Sequence, residues 1–187
     1  MKITEYMMEH GHEELAIWTD KEAGLRSFIA IHDRTLGPSL GGVRIWPHKT
    51  EEAAITDVLR LSRAMTYKSA VAGLPLGGGK AVIMADPTKD KTEAMFRSFG
   101  RFVESLGGRY ITTEDVGASP KDLEWVSYET SNVVGLPESL GGSGNPAGVT
   151  GYGVFQAMRA CAQFVWGTDS LDGCSIAIQG FGNVARS

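Results

Sequence analysis

Apolar residues recur along the chain with two different spacings, which predict alternating strands and helices. Segments in which β-branched and aromatic residues alternate with polar ones, or run together between turn signals, are typical of strands. Such segments lie at residues 26–33, 43–46, 80–86, 109–113 and 175–179.

Between these segments, apolar residues recur at three- and four-residue steps, as on one face of a helix. Helices are predicted from residue 50 onwards, over 92–106, from 119 onwards and from 150 to about 166. Thr50 and Ser119 are suitable N-caps, and Pro120 suits a first helical turn. The apolar stripe of the first helix, continued by one step, reaches Lys68. Lys68 is therefore expected in line with the apolar face.

Strands that alternate with helices predict an α/β fold. In such sheets, ligands gather beyond the carboxyl ends of the strands. Asp115 follows one predicted strand, and a turn that begins at Gly180 follows another. A ligand site is thus expected near these residues. The chain has no internal repeat and no low-complexity segment.

Composition indicates a globular protein and excludes some partners. Hydrophobic residues make up 42% of the chain and charged residues 21%. The net charge is −4 and no segment concentrates basic residues, which argues against binding nucleic acid or anionic membranes. No apolar run approaches the ~18 residues that a membrane span needs. Two isolated cysteines, Cys161 and Cys174, favour a reduced cytoplasmic setting.

The 24 glycines are clustered, which indicates tight turns or backbone that a ligand approaches closely. Residues 37–42 are predicted to form a turn. Gly77-Gly78-Gly79-Lys80 resembles a phosphate-binding loop, but Leu74 and Ala81 stand where that motif needs glycine and Ser or Thr. The alternatives are a lysine held by a glycine turn, with a pKa lowered by burial, or an ordinary surface lysine.

Lys68 and Asp115 each have a structural and a functional interpretation. A lysine near the end of a helix can complement the helix dipole, whereas a lysine on an apolar face needs an anionic partner such as a substrate carboxylate. Asp115 can simply end a strand, or it can exchange protons with an amine if the two lysines, Lys68 and Lys80, lie nearby.

The last residues carry a dinucleotide-binding pattern. Gly180-Phe181-Gly182-Asn183-Val184-Ala185 has the GxGxxA form and directly follows a predicted strand. Its glycines would let the pyrophosphate of a dinucleotide approach the backbone. The four histidines have no metal-ligand spacing, so no metal is expected, and His10 and His12 are interpreted as a solvated pair.

Several segments resemble segments of the glutamate/leucine/phenylalanine/valine dehydrogenases and occur in the same order along the chain. The match is closest for residues 74–87, which are similar to the active-site signature of that family. Further similar segments span almost the whole chain: 37–44, 65–70, 108–117, 143–154 and 179–185. The resemblance implies a reversible reaction in which an L-amino acid, NAD+ and water give a 2-oxo acid, ammonium and NADH.

The resemblance also implies roles for individual residues. Lys80 would activate water, and Asp115 would carry the proton to and from the substrate nitrogen. Lys68 and the backbone N–H groups of Gly41 and Gly42 would bind the α-carboxylate. Further site residues implied in this way are Met65 and Thr113 for the substrate, and Thr150 and Gly180 to Ala185 for the cofactor.

Substrate choice depends on the residue before the glycine pair. Glutamate-specific members of the family have a lysine there, and this chain has Leu40. An apolar residue would leave a glutamate side chain unpaired, so a branched aliphatic substrate (leucine, valine or isoleucine) is expected. Thr113 replaces an expected alanine, which leaves the ranking of these substrates open, and phenylalanine remains an alternative.

The implied architecture has two parts. Residues 1–145 are expected to form a substrate-binding and oligomerisation domain with a mixed sheet and flanking helices. Residues 146–187 are expected to form a hinge helix and the first strand and turn of a truncated Rossmann domain. The chain is thus expected to be a fragment of a protein that forms a homo-oligomer. The sequence does not distinguish NAD from NADP as the cofactor. A non-catalytic amino-acid-binding or oligomerisation domain is the alternative from another functional class.

Overall fold

The computed structural model describes residues 2–187, which divide into two compact units. The first unit extends to Gly144, and the second runs from Asn145 to Ser187. None of the helices among the described residues is long and apolar enough to cross a membrane.

The first unit is built on a five-stranded mixed sheet, which confirms the predicted α/β fold with flanking helices. The strand order is β1-β2-β4-β3-β5. Strands β1, β2 and β4 pair antiparallel, whereas β3 pairs parallel with both β4 and β5. The strands are β1 (Glu14–Asp20), β2 (Leu25–Asp33), β3 (Ser39–Ile45), β4 (Gly77–Ile83) and β5 (Tyr110–Glu114).

The predicted helices are present, and three of them begin at side-chain caps. The hydroxyls of Thr50 and Thr92 accept bonds from Ala53 N and Met95 N, and Ser119 forms a reciprocal capping box with Asp122. Each cap satisfies an amide at the helix start that has no partner within the helix. The helices are α1 (Ile3–His10), α2 (Glu51–Val71), α3 (Glu93–Ser105), α4 (Pro120–Ser127), α5 (Ala147–Trp166) and α6 (Asn183–Arg186), with a 3-10 turn at Glu138–Leu140.

Helices cover both faces of the sheet. The face under α2 carries a smaller apolar cluster that joins Phe28 and Val82 of the sheet to Val58 and Leu59 of the helix. The opposite face carries the main core, to which α3 contributes three phenylalanines: Phe96, Phe99 and Phe102. The three helical phenylalanines recur at three-residue steps, which is why α3 presents one apolar face to the sheet.

Two glycine clusters that were predicted as turns lie inside strands instead. Strand β3 already includes Gly41 and Gly42, and β4 begins at Gly77. A Cβ atom added at Gly41 would lie only 1.7 Å from the carbonyl oxygen of Gly79. Glycine is needed here because neighbouring strands approach too closely for a side chain, rather than because the chain turns.

Other segments also differ from the sequence-based expectations. The first helix α1 and strand β1 were not predicted, although every residue of β1 pairs with one of Leu25 to Ile31 in β2. Residues 175–179 were predicted as a strand but have no strand assignment. The second unit contains no described strand beside them, and a strand needs a neighbour to pair its backbone groups.

Candidate active site

Lys80 lies in the middle of β4 and is almost completely buried, at 5% exposure. Its Nζ atom lies 2.9 Å from Oδ2 of Asp115. Burial removes the ammonium group from water and so lowers the pKa of Lys80. The negative charge of Asp115 raises the pKa, but this effect is smaller than the effect of burial. The interpretation of Lys80 as an ordinary surface lysine was therefore wrong.

Asp115 follows the last residue of β5 and shares its Oδ2 atom between two cations. Besides Lys80, Arg44 donates from Nε to this oxygen over 3.0 Å. Burial by itself raises the pKa of Asp115, but the charges of Lys80 and Arg44, with the hydrogen bond from Lys80, reverse that effect and lower it. Asp115 is thus held as a carboxylate beside the lysine amine.

Arg44 connects this pair to a second carboxylate on α2. Its Nη1 donates to Oδ1 and Oδ2 of Asp57 over 3.2 and 3.0 Å. His48 Nε2 lies 3.4 Å from the same Asp57 Oδ2 but makes no hydrogen bond. Charges therefore alternate along a continuous series from Lys80 through Asp115 and Arg44 to Asp57.

The backbone of Gly41 and Gly42 lies directly against this ion pair. A Cβ at Gly42 would be 2.8 Å from the Cβ of Asp115. The Tyr110 hydroxyl donates to the carbonyl oxygen of Gly41 over 2.6 Å. Burial raises the pKa of Tyr110, which keeps the hydroxyl protonated and able to donate. The structure thus brings both glycines to Lys80 and Asp115.

The proposed side-chain pocket residues lie on neighbouring elements. Leu40 is half-buried in β3 and pairs with Gly78 on one side and Ile111 on the other. Thr113 is half-buried in β5 opposite Gly42, and its hydroxyl would be 2.8 Å from a Cβ at Gly135. Met65 is half-buried on α2.

Lys68 is exposed in the last turn of α2, so its expected place on the apolar face was wrong. The buried residue in that turn is Ser69, two helical turns beyond the buried Ser62. At 3.6 residues per turn, the seven-residue step from Ser62 to Ser69 returns to the same face of the helix. Lys68 is one residue earlier and therefore lies outside that face. Lys68 makes no ion pair with Asp115 among the described contacts, and its ammonium group is accessible to a ligand.

Two histidines, His12 and His32, form hydrogen bonds inside the first unit. His12 is buried and its Nε2 hydrogen-bonds the carbonyl oxygen of Leu59, while His32 bonds Thr66 Oγ1 and the carbonyl oxygen of His10. The prediction that His10 and His12 form a solvated pair was wrong for His12. Its ring packs against Tyr6 of α1 and His32 of β2. Within residues 2–187, no group of three metal-ligating side chains is gathered.

In the second unit, the glycine pattern forms a turn followed by a short helix. Gly180 has a φ of +83°, a conformation that favours glycine, and α6 begins at Asn183. A Cβ at Gly180 or Gly182 would meet no atom within 4 Å, so the backbone of the turn is accessible. These residues fit the start of a dinucleotide-binding turn. Thr150 lies in the first part of α5.

The family profile described as "Glu/Leu/Phe/Val dehydrogenase, dimerisation domain" matches residues 12–132, which is more than half of the chain. The chain belongs to the Glu/Leu/Phe/Val dehydrogenase family. The profile of the second family domain, "Glutamate/Leucine/Phenylalanine/Valine dehydrogenase", matches residues 141–187.

Individual members of the Glu/Leu/Phe/Val dehydrogenases are similar to this chain over nearly all of its length. Leucine dehydrogenase from Bacillus subtilis (strain 168) is 55% identical over 99% of this chain and 51% of its own length. Phenylalanine dehydrogenase from Caldalkalibacillus thermarum (strain TA2.A1) is 53% identical over 92% and 47%. The crystal structure of L-tryptophan dehydrogenase from Nostoc punctiforme has a TM-score of 0.74 at 46% identity, covering 98% and 52%. The chain thus spans about half the length of the curated relatives it matches.

In this Glu/Leu/Phe/Val dehydrogenase chain, sequence reasoning missed Arg44, Asp57 and His48. Arg44 is the last residue of segment 37–44, one of the segments that resemble the family. This resemblance was the only signal in the sequence that could have indicated a role for Arg44. Asp57 is an ordinary polar position of an amphipathic helix. Only the parallel pairing of β3 and β5 shows that Arg44 and Asp115 meet.

Replacing Gly42 with alanine is expected to displace Asp115. The added Cβ would lie 2.5 Å from the carbonyl oxygen of Glu114, so β5 must shift. We expect a loss of about 1–3 kcal/mol in the free energy of unfolding, measured by urea denaturation. Gly153→Ala is the matched control, because a Cβ there meets nothing within 4 Å, and it should not lower stability. Equal stability of Gly42→Ala and the wild type would contradict the close approach.

Proposed function

We propose that this chain is the substrate-binding half of an NAD-dependent dehydrogenase that reversibly deaminates branched-chain L-amino acids. The observation that carries the proposal is the buried Lys80–Asp115 pair, with Nζ and Oδ2 2.9 Å apart. A lysine with a lowered pKa loses its proton at a lower pH than an ordinary lysine, and a neighbouring carboxylate can receive or return protons.

In this proposal, each polar group of the site has one task. Unprotonated Lys80 accepts a proton from the water that attacks the substrate imine, which gives a carbinolamine. Asp115 transfers a proton to and from the substrate nitrogen. The exposed ammonium of Lys68 and the N–H groups of Gly41 and Gly42 bind the α-carboxylate, because a buried carboxylate needs charged or N–H donors.

The cofactor proposed is NAD. Bound NAD+ would supply the hydride acceptor for the α-hydrogen of the substrate. The residues proposed to hold it are Thr150 and the segment Gly180, Phe181, Gly182, Asn183, Val184 and Ala185. Support comes from the accessible backbone at Gly180 and Gly182.

Leu40 supports an aliphatic rather than an acidic substrate. Its side chain is half-buried beside Gly41, the residue proposed to bind the α-carboxylate. Among the described side chains, no cation is placed at position 40 to pair with the second carboxylate of glutamate. Met65 and Thr113 are proposed to complete the pocket, in which leucine, valine and isoleucine would fit and phenylalanine is the alternative.

The two units are proposed to divide the work of the enzyme. Residues 1–145 would bind the substrate and form the contacts of a cytoplasmic homo-oligomer, which the description of the matching profile as a dimerisation domain supports. Residues 146–187 would provide the hinge helix and the first part of the cofactor domain. The 187-residue chain alone is therefore expected to lack turnover.

The test is product formation by the full-length protein that carries this chain. L-Leucine, L-valine, L-isoleucine, L-phenylalanine and L-glutamate are each incubated with NAD+ or NADP+, and ammonium, 2-oxo acid and reduced cofactor are quantified. We expect equal amounts of all three products from an aliphatic substrate and little product from glutamate. Binding of leucine without any product would refute the proposal and indicate a non-catalytic amino-acid-binding domain.

A further inference from the structure

Arg44 makes two separate ionic contacts within the candidate site. Its Nε donates to Asp115 Oδ2 over 3.0 Å, and its Nη1 donates to both carboxylate oxygens of Asp57. The side chains of all three residues are only 24% exposed. Two carboxylates on different elements therefore fix one guanidinium group, which restricts its orientation.

The position of Arg44 on β3 follows from strand geometry. Residues 42 and 44 of a strand point to the same face. Gly42 turns that face toward the Cβ of Asp115, and it has no side chain to occupy the space. Arg44, two residues later, can therefore extend along the same face to the Asp115 carboxylate.

A lysine that acts as a base creates an electrostatic problem for its neighbour. When Lys80 is unprotonated, Asp115 loses the cation on which its ionised form partly depends. A partly buried carboxylate without a cation takes up a proton more readily. Asp115 would then compete with Lys80 for the proton that the reaction has to move.

We propose that Arg44, held in place by Asp57, is a positioning residue that keeps Asp115 ionised and favours the unprotonated form of Lys80. This inference rests on the proposed function of the Lys80–Asp115 pair. A guanidinium group is suited to the role because it stays charged at every pH at which the protein is folded. Its charge is therefore present both when Lys80 holds a proton and when it does not.

The electrostatics of the neighbouring groups agree with this role. The charge of Arg44 lowers the pKa of Lys80 and also that of Asp115. Asp57 acts in the opposite direction on Lys80, but more weakly than Arg44. His48 faces Asp57 rather than the Lys80–Asp115 pair. Burial and the charge of Asp115 both raise the pKa of Tyr110, so its hydroxyl stays protonated and carries no charge.

The test replaces Arg44 in the full-length protein with methionine, and separately with glutamine and lysine. The readouts are the pH dependence of kcat and the direct titration of Lys80 by NMR of labelled lysine, assigned by the signal that disappears in Lys80→Ala. Arg97→Met is the matched control. It removes an ion-paired arginine on α3 whose partners are Glu93 and Glu129.

Arg44→Met and Arg44→Gln are expected to move the titration of Lys80 upward by roughly 0.5–1 pH unit and to lower kcat by about 3- to 10-fold near neutral pH. Arg44→Lys keeps the charge and should leave the titration near its wild-type position. Arg97→Met should change neither readout. The glutamine variant can still donate a hydrogen bond, so it preserves the test if the methionine variant does not fold.

An unchanged Lys80 titration in folded Arg44→Met or Arg44→Gln would overturn the inference. A purely structural role predicts that result, together with a loss of stability. If the wild-type protein has no dehydrogenase activity, the proposed function fails. The NMR titration would still test the inference about Arg44, because it does not depend on turnover.

Discussion

Replacing Lys80 with alanine is expected to lower kcat of the full-length protein by about 10²–10⁴-fold, the range for loss of a general base. The buried amine next to Asp115 is the only lysine described within hydrogen-bonding distance of that carboxylate. Asp115 keeps its contact with Arg44 in the variant, so the carboxylate remains paired and the fold should persist. Initial rates of NADH formation with L-leucine measure the effect.

Lys89→Ala is a matched control for this experiment. Lys89 lies a few residues beyond β4 and pairs with Asp86, but its side chain is 78% exposed. Its removal should leave kcat unchanged, since exposed ion pairs contribute little. Added ethylamine should partly restore the activity of Lys80→Ala by supplying the missing amine. Near-wild-type turnover of Lys80→Ala would remove Lys80 from the mechanism.

Replacing Leu40 with lysine is expected to shift specificity toward glutamate. The new ammonium group would pair with the second carboxylate of glutamate, and with leucine it would remain desolvated without an anion. We expect the ratio of kcat/KM for glutamate to that for leucine to rise by on the order of 10²-fold. Steady-state kinetics with both substrates measure this ratio.

Leu36→Lys is a control with the same chemical change in the turn before β3. Leu36 is 48% exposed and lies outside the strand that carries the site, so the ratio should stay at its wild-type value. An unchanged ratio in Leu40→Lys, with the protein folded, would show that residue 40 does not line the side-chain pocket.

Local sequence signals were sufficient to predict most of the helices. Thr50, Thr92 and Ser119 all cap helices in the structure, and each is a short polar side chain before an apolar periodic segment. Caps act within one helical turn, so the information they carry is local. The strand at residues 26–33 was equally clear, because a short segment of β-branched and aromatic residues is a local pattern too, although the strand is buried on both faces in the structure.

Features that depend on contacts between distant segments could not be predicted in this way. The glycines at positions 41 and 77–79 look like turn residues until the parallel pairing of β3 with β4 is known. Arg44 and Asp115 are 71 positions apart, and no local pattern indicates that they meet. His12 seemed solvated for the same reason, since its partner is the carbonyl of Leu59.

For Lys80 and Asp115, the family resemblance and the physical chemistry of the structure support the same interpretation. The resemblance selects these two residues, and burial with an ion pair at 2.9 Å gives a physical reason for proton transfer between them. Lys68 shows the limit of periodicity, because a one-residue error in helical phase separates a buried position from an exposed one.

If Lys80 acts as a base with a lowered pKa, its protonation state controls turnover, and the pH dependence of kcat reports that protonation state. The measurement uses the full-length protein at saturating L-leucine and NAD+. Only unprotonated Lys80 can accept a proton, so kcat should fall as the pH decreases through the pKa of Lys80. Because burial lowers that pKa, the inflection should lie below the ordinary lysine value of about 10.4. A kcat that rises as the pH decreases would contradict this role of Lys80, as would an inflection at or above the ordinary lysine value.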